Sequence, residues 1–331
     1  MRRFALNVRA GAAALALLAC RAAPIPSHLV YPAGTSFRAS ERHVAGTRLR
    51  LIDTGTGPAV VFVHGFGASL YSWRHQLESV LRAGHRVVAF DNAGFGFSDH
   101  PAGGFGNAAY TELVLALLDS LGIPDAVLVG HSMGGQIAAE VAVAAPHRVR
   151  GLVLMDPSGY RGPMEWRGLR QKAASLLSRT AVAAILRYCF ADPRRVTRND
   201  IDQYYAPVAR PAGRRAIARV LAEFRFDILR GRAAAIAAPT LILWGTADRV
   251  IPFQSVADLA NDLPRGAVVL IRDAGHNPQE EQPAEVNRQL IAYLRYGLPA
   301  TPPDLAAGRS SAAARSTPSR SRAGSGSGAA D

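Results

Sequence analysis

Ser132 stands between Gly130 and Gly134, where a predicted strand runs directly into a predicted helix. The apolar run Ala126–Val129 predicts a short buried strand, and the periodicity of residues 136–142 predicts a helix. Such a turn strains the backbone of its apex residue, and glycines two positions to each side let the strand and the helix pass closely. The serine hydroxyl would then lie at the positive end of a helix dipole, which stabilises a nucleophile and a developing oxyanion. This pattern predicts a nucleophile at Ser132.

A serine hydroxyl is a poor nucleophile unless a base takes its proton and an acid orients that base. In the strand–turn–helix arrangement the acid and then the histidine follow the serine along the chain. Of the nine histidines, only His147 and His276 follow Ser132. His147 is expected at the far end of the helix after Ser132, whereas His276 follows the last predicted strand, at the sheet edge where such residues emerge. By elimination, His276 is the predicted base.

Two aspartates compete for the role of the acid. Asp248 follows the predicted strand Thr240–Trp244, and Asp156 follows the predicted strand Gly151–Met155. Both therefore emerge at the carboxyl edge of a parallel sheet. We favour Asp248, because Asp156 precedes a proline and is also well explained as a turn residue.

An oxyanion needs two converging backbone N–H groups. One is expected from Met133, directly after the nucleophile. The other is expected from the loop His64–Gly67, which follows the first buried strand, with Phe66 as the predicted donor. His64 is expected to brace this loop without taking part in the chemistry.

Apolar strands alternate with amphipathic helices along the chain, which indicates an α/β fold with a mostly parallel sheet covered on both faces. The remaining predicted strands are His43–Asp53, Ala59–Val63, Arg86–Phe90 and Val268–Arg272. The remaining predicted helices are Ser69–Arg82, Asn107–Leu121, Phe253–Leu263 and Pro283–Tyr296. Residues 161–238 interrupt the alternation. Helical patterns run over Arg167–Phe190 and Ala212–Arg230 with no strand candidate between them, so this segment predicts a helical insertion in a core of residues 41–160 and 239–298.

These motifs together resemble the α/β-hydrolase superfamily over roughly residues 40–297. The resemblance rests on the Ser132 turn, the His64–Gly67 loop, the glycine-rich stretch Asp91–Ser98, Asp248 and the Gly275-His276 pair. It implies that residues 161–238 form a helical cap over the pocket, and that the chain is a serine hydrolase acting on a small, apolar ester. The sequence itself contains no dinucleotide fingerprint, since Asp99 stands at the sixth position of the pattern that begins at Gly94, and no metal-spaced His/Cys/Glu cluster, so no cofactor and no metal are expected.

Other chemistries of the superfamily are separated by particular residues. Dehalogenases and epoxide hydrolases carry Asp at the nucleophile position, where this chain has Ser132. The carbon–carbon bond hydrolases of the meta-cleavage type have Asn before the serine and Trp after the histidine, where this chain has His131 and Asn277. Cofactor-free perhydrolases share the same three residues, and a catalytically silent binding protein on this fold is the non-enzyme alternative.

The N-terminus carries the features of an export signal. Arg2, Arg3 and Arg9 precede the apolar stretch Ala10–Ala19, which is too short to span a bilayer. The run ending at Cys20 resembles the lipobox of bacterial lipoproteins, which implies a signal peptide over 1–19 and lipidation of Cys20 on an exported, membrane-anchored protein. The alternatives are a periplasmic or secreted protein with an ordinary cleaved signal, or a mis-assigned start codon. Residues 20–40 are the predicted linker.

Charge and the remaining composition narrow the class of protein further. Sixteen basic and six acidic residues give the predicted insertion a charge of +10, within a chain of net charge +13. Lys172 is the sole lysine among 38 basic residues, and no basic stretch is interleaved with aromatic residues, so nucleic acid is not an expected partner.

Cys189 is the one cysteine left after Cys20, which excludes an internal disulfide framework. Residues 299–331 lack periodicity and predict a disordered tail.

Overall fold

A computed structural model describes residues 37–160 and 178–299 of the chain. Its centre is an eight-stranded sheet in the order β1-β2-β4-β3-β5-β6-β7-β8. The first two strands pair antiparallel with their neighbours, and the other six run parallel. The strands are β1 Ser40–Val44, β2 Thr47–Thr54, β3 Ala59–Val63, β4 Arg86–Phe90, β5 Ala126–His131, β6 Val149–Met155, β7 Thr240–Gly245 and β8 Gly266–Ile271.

Helices cover both faces of this sheet, because alternate strand residues point to opposite sides. In β3, Val61 and Val63 pack into one hydrophobic core, whereas Val60 and Phe62 pack into the other. The helices are α1 Leu77–Arg82, α2 Asn107–Ser120, α3 Met133–Ala144, α4 Arg179–Cys189, α5 Arg198–Ala209, α6 Pro211–Glu223, α7 Phe253–Asp262, α8 Pro278–Glu281 and α9 Pro283–Tyr296. Helices α1 and α9 pack on the Phe62 side, and α2, α3 and α7 pack on the other.

The predicted fold class, a mostly parallel sheet flanked by helices with a helical insertion, is confirmed. Two local predictions that precede β4 are wrong. The single strand predicted over His43–Asp53 is a hairpin, because Ala45 and Gly46 take positive φ angles of 44° and 77° and reverse the chain. The helix predicted over Ser69–Arg82 divides into a 3₁₀ turn at Leu70–Trp73 and α1.

Residues 178–238 lie between β6 and β7 and contribute α4, α5 and α6. Helix α5 was not predicted, although Thr197 and Asp200 form a capping box at its start, because Pro207 lies inside it. Helix α6 ends at Glu223, seven residues before the predicted boundary at Arg230. The described part of the insertion has a small core of its own, formed by Val182, Ala183, Leu186, Phe190, Val196 and Ile201.

Several predictions fall on residues that the structure does not describe. These are the signal peptide with Cys20, most of the linker, the first part of the helix predicted from Arg167, and the tail beyond residue 299. Among the helices of residues 37–160 and 178–299, none has the length and hydropathy needed to cross a bilayer.

Candidate active site

Ser132 lies at the apex of the turn between β5 and α3, with φ 52° and ψ −118°. This left-handed conformation is unfavourable for a residue with a Cβ, and it raises the hydroxyl above the sheet edge. The two flanking glycines are required by close backbone approach. A Cβ on Gly130 would lie 2.5 Å from the carbonyl oxygen of Gly134, and a Cβ on Gly134 would lie 2.0 Å from that of Val63.

Three side chains predicted from sequence form a hydrogen-bonded row at the carboxyl edge of the sheet. The Ser132 Oγ lies 3.0 Å from His276 Nε2, and His276 Nδ1 lies 2.9 Å from Asp248 Oδ2. Because an ionised carboxylate can only accept, we assign the proton of neutral His276 to Nδ1. Nε2 is then free to accept the hydroxyl proton of Ser132. This is the arrangement in which an imidazole removes a proton from a nucleophile.

Asp248 is held in the ionised form. Burial opposes its charge, but His276 and the backbone N–H groups of Val250 and Ile251 bring the Asp248 pKa below its usual range. Those two amides donate to Oδ1 over 2.7 and 3.1 Å, which leaves Oδ2 for the imidazole. The carboxylate is therefore oriented by its own loop, and it orients His276 in turn.

Asp156 occupies the end of the neighbouring strand, as predicted, but it makes a different contact. Its Oδ1 accepts a hydrogen bond of 3.0 Å from Gly245 N. The hydrogen bond of His276 Nδ1 is made with Asp248 instead. Burial, together with the charge of Asp248, raises the pKa of Asp156 well above its usual range. Two adjacent buried carboxylates cannot both ionise cheaply, and these pKa directions favour the negative charge on Asp248 over one on Asp156.

The two predicted oxyanion donors belong to segments next to Ser132. Met133 is the first residue of α3, so its N–H has no partner within that helix. Phe66 follows Gly65, and a Cβ on Gly65 would lie 3.2 Å from the Cβ of Ser132. The loop after β3 therefore runs directly beside the nucleophile, and the donor role of Phe66 stays a prediction.

His64 fixes the start of this loop. Asn92 N donates to His64 Nε2 over 2.8 Å, and the Asn92 side chain donates to the His64 carbonyl over 2.8 Å. Burial lowers the pKa of His64, so the ring is neutral. Its contacts are those of a bracing residue.

His131 is a supporting residue that the sequence did not reveal. Its Nε2 donates to the backbone carbonyl of His276 over 2.6 Å. Burial and the neighbouring His276 lower the pKa of His131 to about 3, so it is a neutral donor. In the sequence it was only the unspecified position before the nucleophile in the Gly-x-Ser-x-Gly pattern, and nothing local pointed to a residue 145 positions away.

The insertion packs against the loop that carries Phe66. The ring of Phe226 lies edge-on to that of Phe66, with centroids 6.4 Å apart, and Phe95 contacts Phe66 from its own loop at 5.6 Å. The carbonyl of Phe226 also accepts from Gly159 N, close to the turn at Ser132. The contact between the insertion and the Phe66 loop is therefore aromatic and apolar.

Within the part of the chain that the structure describes, no group of three or more His, Cys, Asp or Glu side chains is arranged to hold a metal ion. Ser132, His276 and Asp248 are instead hydrogen-bonded to one another. What the arrangement can do is activate a hydroxyl nucleophile and stabilise negative charge beside it.

The fold and these side chains define the class of protein. The sequence matches the family model of the alpha/beta hydrolase fold over residues 58–283. The chain belongs to the alpha/beta hydrolase family, and both the fold and the names of its relatives support a hydrolase of that class.

Similar proteins within this family carry different activities. The dihydrolipoyllysine-residue acetyltransferase component of the acetoin cleaving system of Pseudomonas putida is 34% identical over 260 residues, which cover 76% of this chain and 68% of the relative. A 2-hydroxymuconate semialdehyde hydrolase of Pseudomonas sp. is 31% identical, covering 72% of this chain and 88% of the relative. The crystal structure of a bacterial membrane phospholipase A superposes with a TM-score of 0.70 at 26% identity, covering 78% of this chain and 86% of the other.

Proposed function

We propose that the chain is a serine hydrolase that cleaves carboxylic esters through Ser132, His276 and Asp248. The observation that carries the proposal is the continuous hydrogen-bonded row from the Ser132 hydroxyl to the Asp248 carboxylate, placed on a strained turn at a helix N-terminus. A solvated loop histidine would not require this alignment. Each of the three groups has the partner that the chemistry needs.

In the proposed acylation step, His276 Nε2 takes the proton of Ser132 as Oγ attacks the ester carbonyl. The tetrahedral oxyanion is stabilised by the backbone N–H groups of Met133 and Phe66. His276 then gives its proton to the leaving alcohol, which departs and leaves an acyl group on Ser132. Asp248 stays ionised throughout and stabilises the imidazolium form of His276.

Deacylation repeats the sequence with water as the nucleophile. His276 Nε2 removes a proton from water, which attacks the acyl carbonyl, and the proton then returns to Ser132 Oγ as the acid product leaves. The neutral His131 donates to the His276 carbonyl and keeps the ring in place during both steps. The apolar rings of Phe66, Phe95 and Phe226 favour an apolar acyl or alcohol group.

Carbon–carbon bond hydrolysis is the second candidate, favoured by the 31% identity to a 2-hydroxymuconate semialdehyde hydrolase. The residues around the nucleophile argue for ester cleavage. His131, in the position where Asn is typical of that group, is occupied in holding His276, and Asn277 stands where that group has Trp.

A substrate comparison separates the two. We expect purified protein to hydrolyse p-nitrophenyl acetate, butyrate and octanoate with a higher kcat/KM than a 2-hydroxy-6-oxo-dienoate, the substrate class of meta-cleavage hydrolases. The chain length with the highest kcat/KM would indicate the size of the acyl site. Turnover of the dienoate with no ester turnover would contradict the ester proposal and favour the carbon–carbon reaction.

We also propose that the enzyme is exported and anchored to a membrane through lipidated Cys20. The support is the sequence before Cys20 and the basic character of the insertion. Cells expressing the full chain and fed an alkyne analogue of palmitate are expected to yield labelled protein in the membrane fraction. Cys20→Ser should lose the label, whereas Cys189→Ser, the matched control, should keep it. Unlabelled wild-type protein that fractionates like Cys20→Ser would contradict the anchor.

A further inference from the structure

The loop that carries His276 is joined to the insertion by backbone contacts. His276 N donates to the carbonyl of Cys189, the last residue of α4, over 2.7 Å. The approach is close enough that a Cβ on Gly275 would lie 2.2 Å from that carbonyl and 2.7 Å from Ala191 N. A shift of residues 189–191 would therefore move the backbone of His276, the proposed base.

One buried carboxylate completes this junction. Glu281 is 1% exposed. Its Oε1 accepts from Gly275 N over 2.8 Å and from Asn277 N over 3.3 Å, the residues on either side of His276. Its Oε2 accepts from Ala191 N of the insertion over 2.6 Å.

Glu281 is attached to the insertion at a second point as well. The guanidinium of Arg195 donates to the backbone carbonyl of Glu281. The neighbouring Glu280 turns instead toward Arg74 and Tyr204, so the two glutamates have separate partners. Glu281 alone among them holds both flanks of His276.

We propose that Glu281 is a positioning residue that couples the insertion to His276 and holds the imidazole in line between Ser132 and Asp248. It touches neither Ser132 nor the reacting atoms, and it acts through the backbone of the His276 loop. The role rests on the proposed function, since it matters for activity only if His276 is the base. The physical coupling of residues 189–191 to residues 275–277 is independent of it.

The chemistry of the carboxylate explains why no other side chain would serve equally well. Three N–H donors converge on two oxygens, and a carboxylate offers acceptors on both. A glutamine offers one oxygen and one NH₂ group. The backbone N–H of either Ala191 or the His276 loop would then face the NH₂ donor instead of an acceptor. An aspartate keeps both oxygens but is one methylene shorter, and it can satisfy only part of the set.

The test compares Glu281→Gln, Glu281→Asp and the matched control Glu285→Gln. Glu285 lies on the next helix, where its partners are Arg288 and Gln289. The full chain is assayed with p-nitrophenyl butyrate, and active sites are counted by end-point labelling with a fluorophosphonate. Amide hydrogen exchange is followed for residues 186–196 and 273–278.

We expect Glu281→Gln to lower kcat per labelled site by about 10- to 100-fold, as a small misplacement of a catalytic group does, with KM nearly unchanged. Glu281→Asp should recover part of this loss, and Glu285→Gln should match the wild type. Hydrogen exchange in Glu281→Gln should rise selectively at residues 189–191 and 275–277.

Two results would overturn the inference. One is a Glu281→Gln variant whose kcat per labelled site stays within about twofold of the wild type, which would make Glu281 a purely structural residue. The other is unchanged hydrogen exchange at both segments, which would show that they are not coupled through Glu281. A wild-type protein that fails to react with fluorophosphonate would instead contradict the proposed function, and the hydrogen-exchange comparison would still decide the coupling.

Discussion

Ser132→Ala is expected to lower kcat/KM for p-nitrophenyl butyrate by about 10⁴- to 10⁶-fold, because it removes the nucleophile on which the other two groups act. The alanine fits the space of the serine. The hydrogen bond of Ser132 Oγ that the structure describes goes to His276, so the substitution removes that one contact. The fold should therefore persist, with a melting temperature close to that of the wild type. Steady-state kinetics and a thermal scan on the same preparation measure both quantities.

The Ser132→Ala variant is not expected to lose all turnover. Binding and the oxyanion donors at Met133 and Phe66 still act on water in the variant, so a small rate above background is expected. A folded Ser132→Ala protein that retains a tenth or more of the wild-type kcat/KM would mean that another residue is the nucleophile.

Replacing the two aspartates in turn is expected to give opposite results. Asp248→Asn should lower kcat by roughly 10⁴-fold, because an amide cannot stabilise the imidazolium of His276 and favours the wrong tautomer. Asp156→Asn should leave kcat within about tenfold, because Asp156 Oδ1 accepts from Gly245 N and not from His276, and an amide oxygen can accept that bond as well. The pKa directions agree with this difference, since the pKa of Asp248 lies below its usual range and that of Asp156 well above it.

The pair of variants also decides between the two acids that the sequence left open. If Asp156→Asn proved as damaging as Asp248→Asn while both proteins remained folded, the two carboxyl groups would function as one unit sharing a proton. If Asp156→Asn alone abolished turnover, the acid would be Asp156, and the hydrogen bond of His276 to Asp248 would not be the catalytic one.

Much of the site could be predicted because its signals are local. The turn at Ser132 needs a strand, two glycines and a helix in succession, and all of them lie within about 20 residues of sequence. His276 followed by elimination. The parallel strands and most helices were visible because their apolar residues repeat with the period of the structure.

The rest depends on how distant segments meet. Asp156 and Asp248 both leave the same sheet edge, and the loop amides of Val250 and Ile251 turn Asp248 toward His276. No spacing in the sequence encodes that orientation. Hydrogen bonds from His131 to His276, and from Ala191 to Glu281, link residues 145 and 90 positions apart, so neither could be found by pattern alone.

The most direct test of the central claim is to label the folded wild-type protein with a fluorophosphonate and to map the adduct by peptide mass spectrometry. We predict a single adduct on Ser132, the residue whose Oγ is hydrogen-bonded to His276 Nε2 on the strained turn. An adduct on a different residue, or no adduct on protein shown to be folded, would contradict the assignment of Ser132, His276 and Asp248 as the catalytic residues.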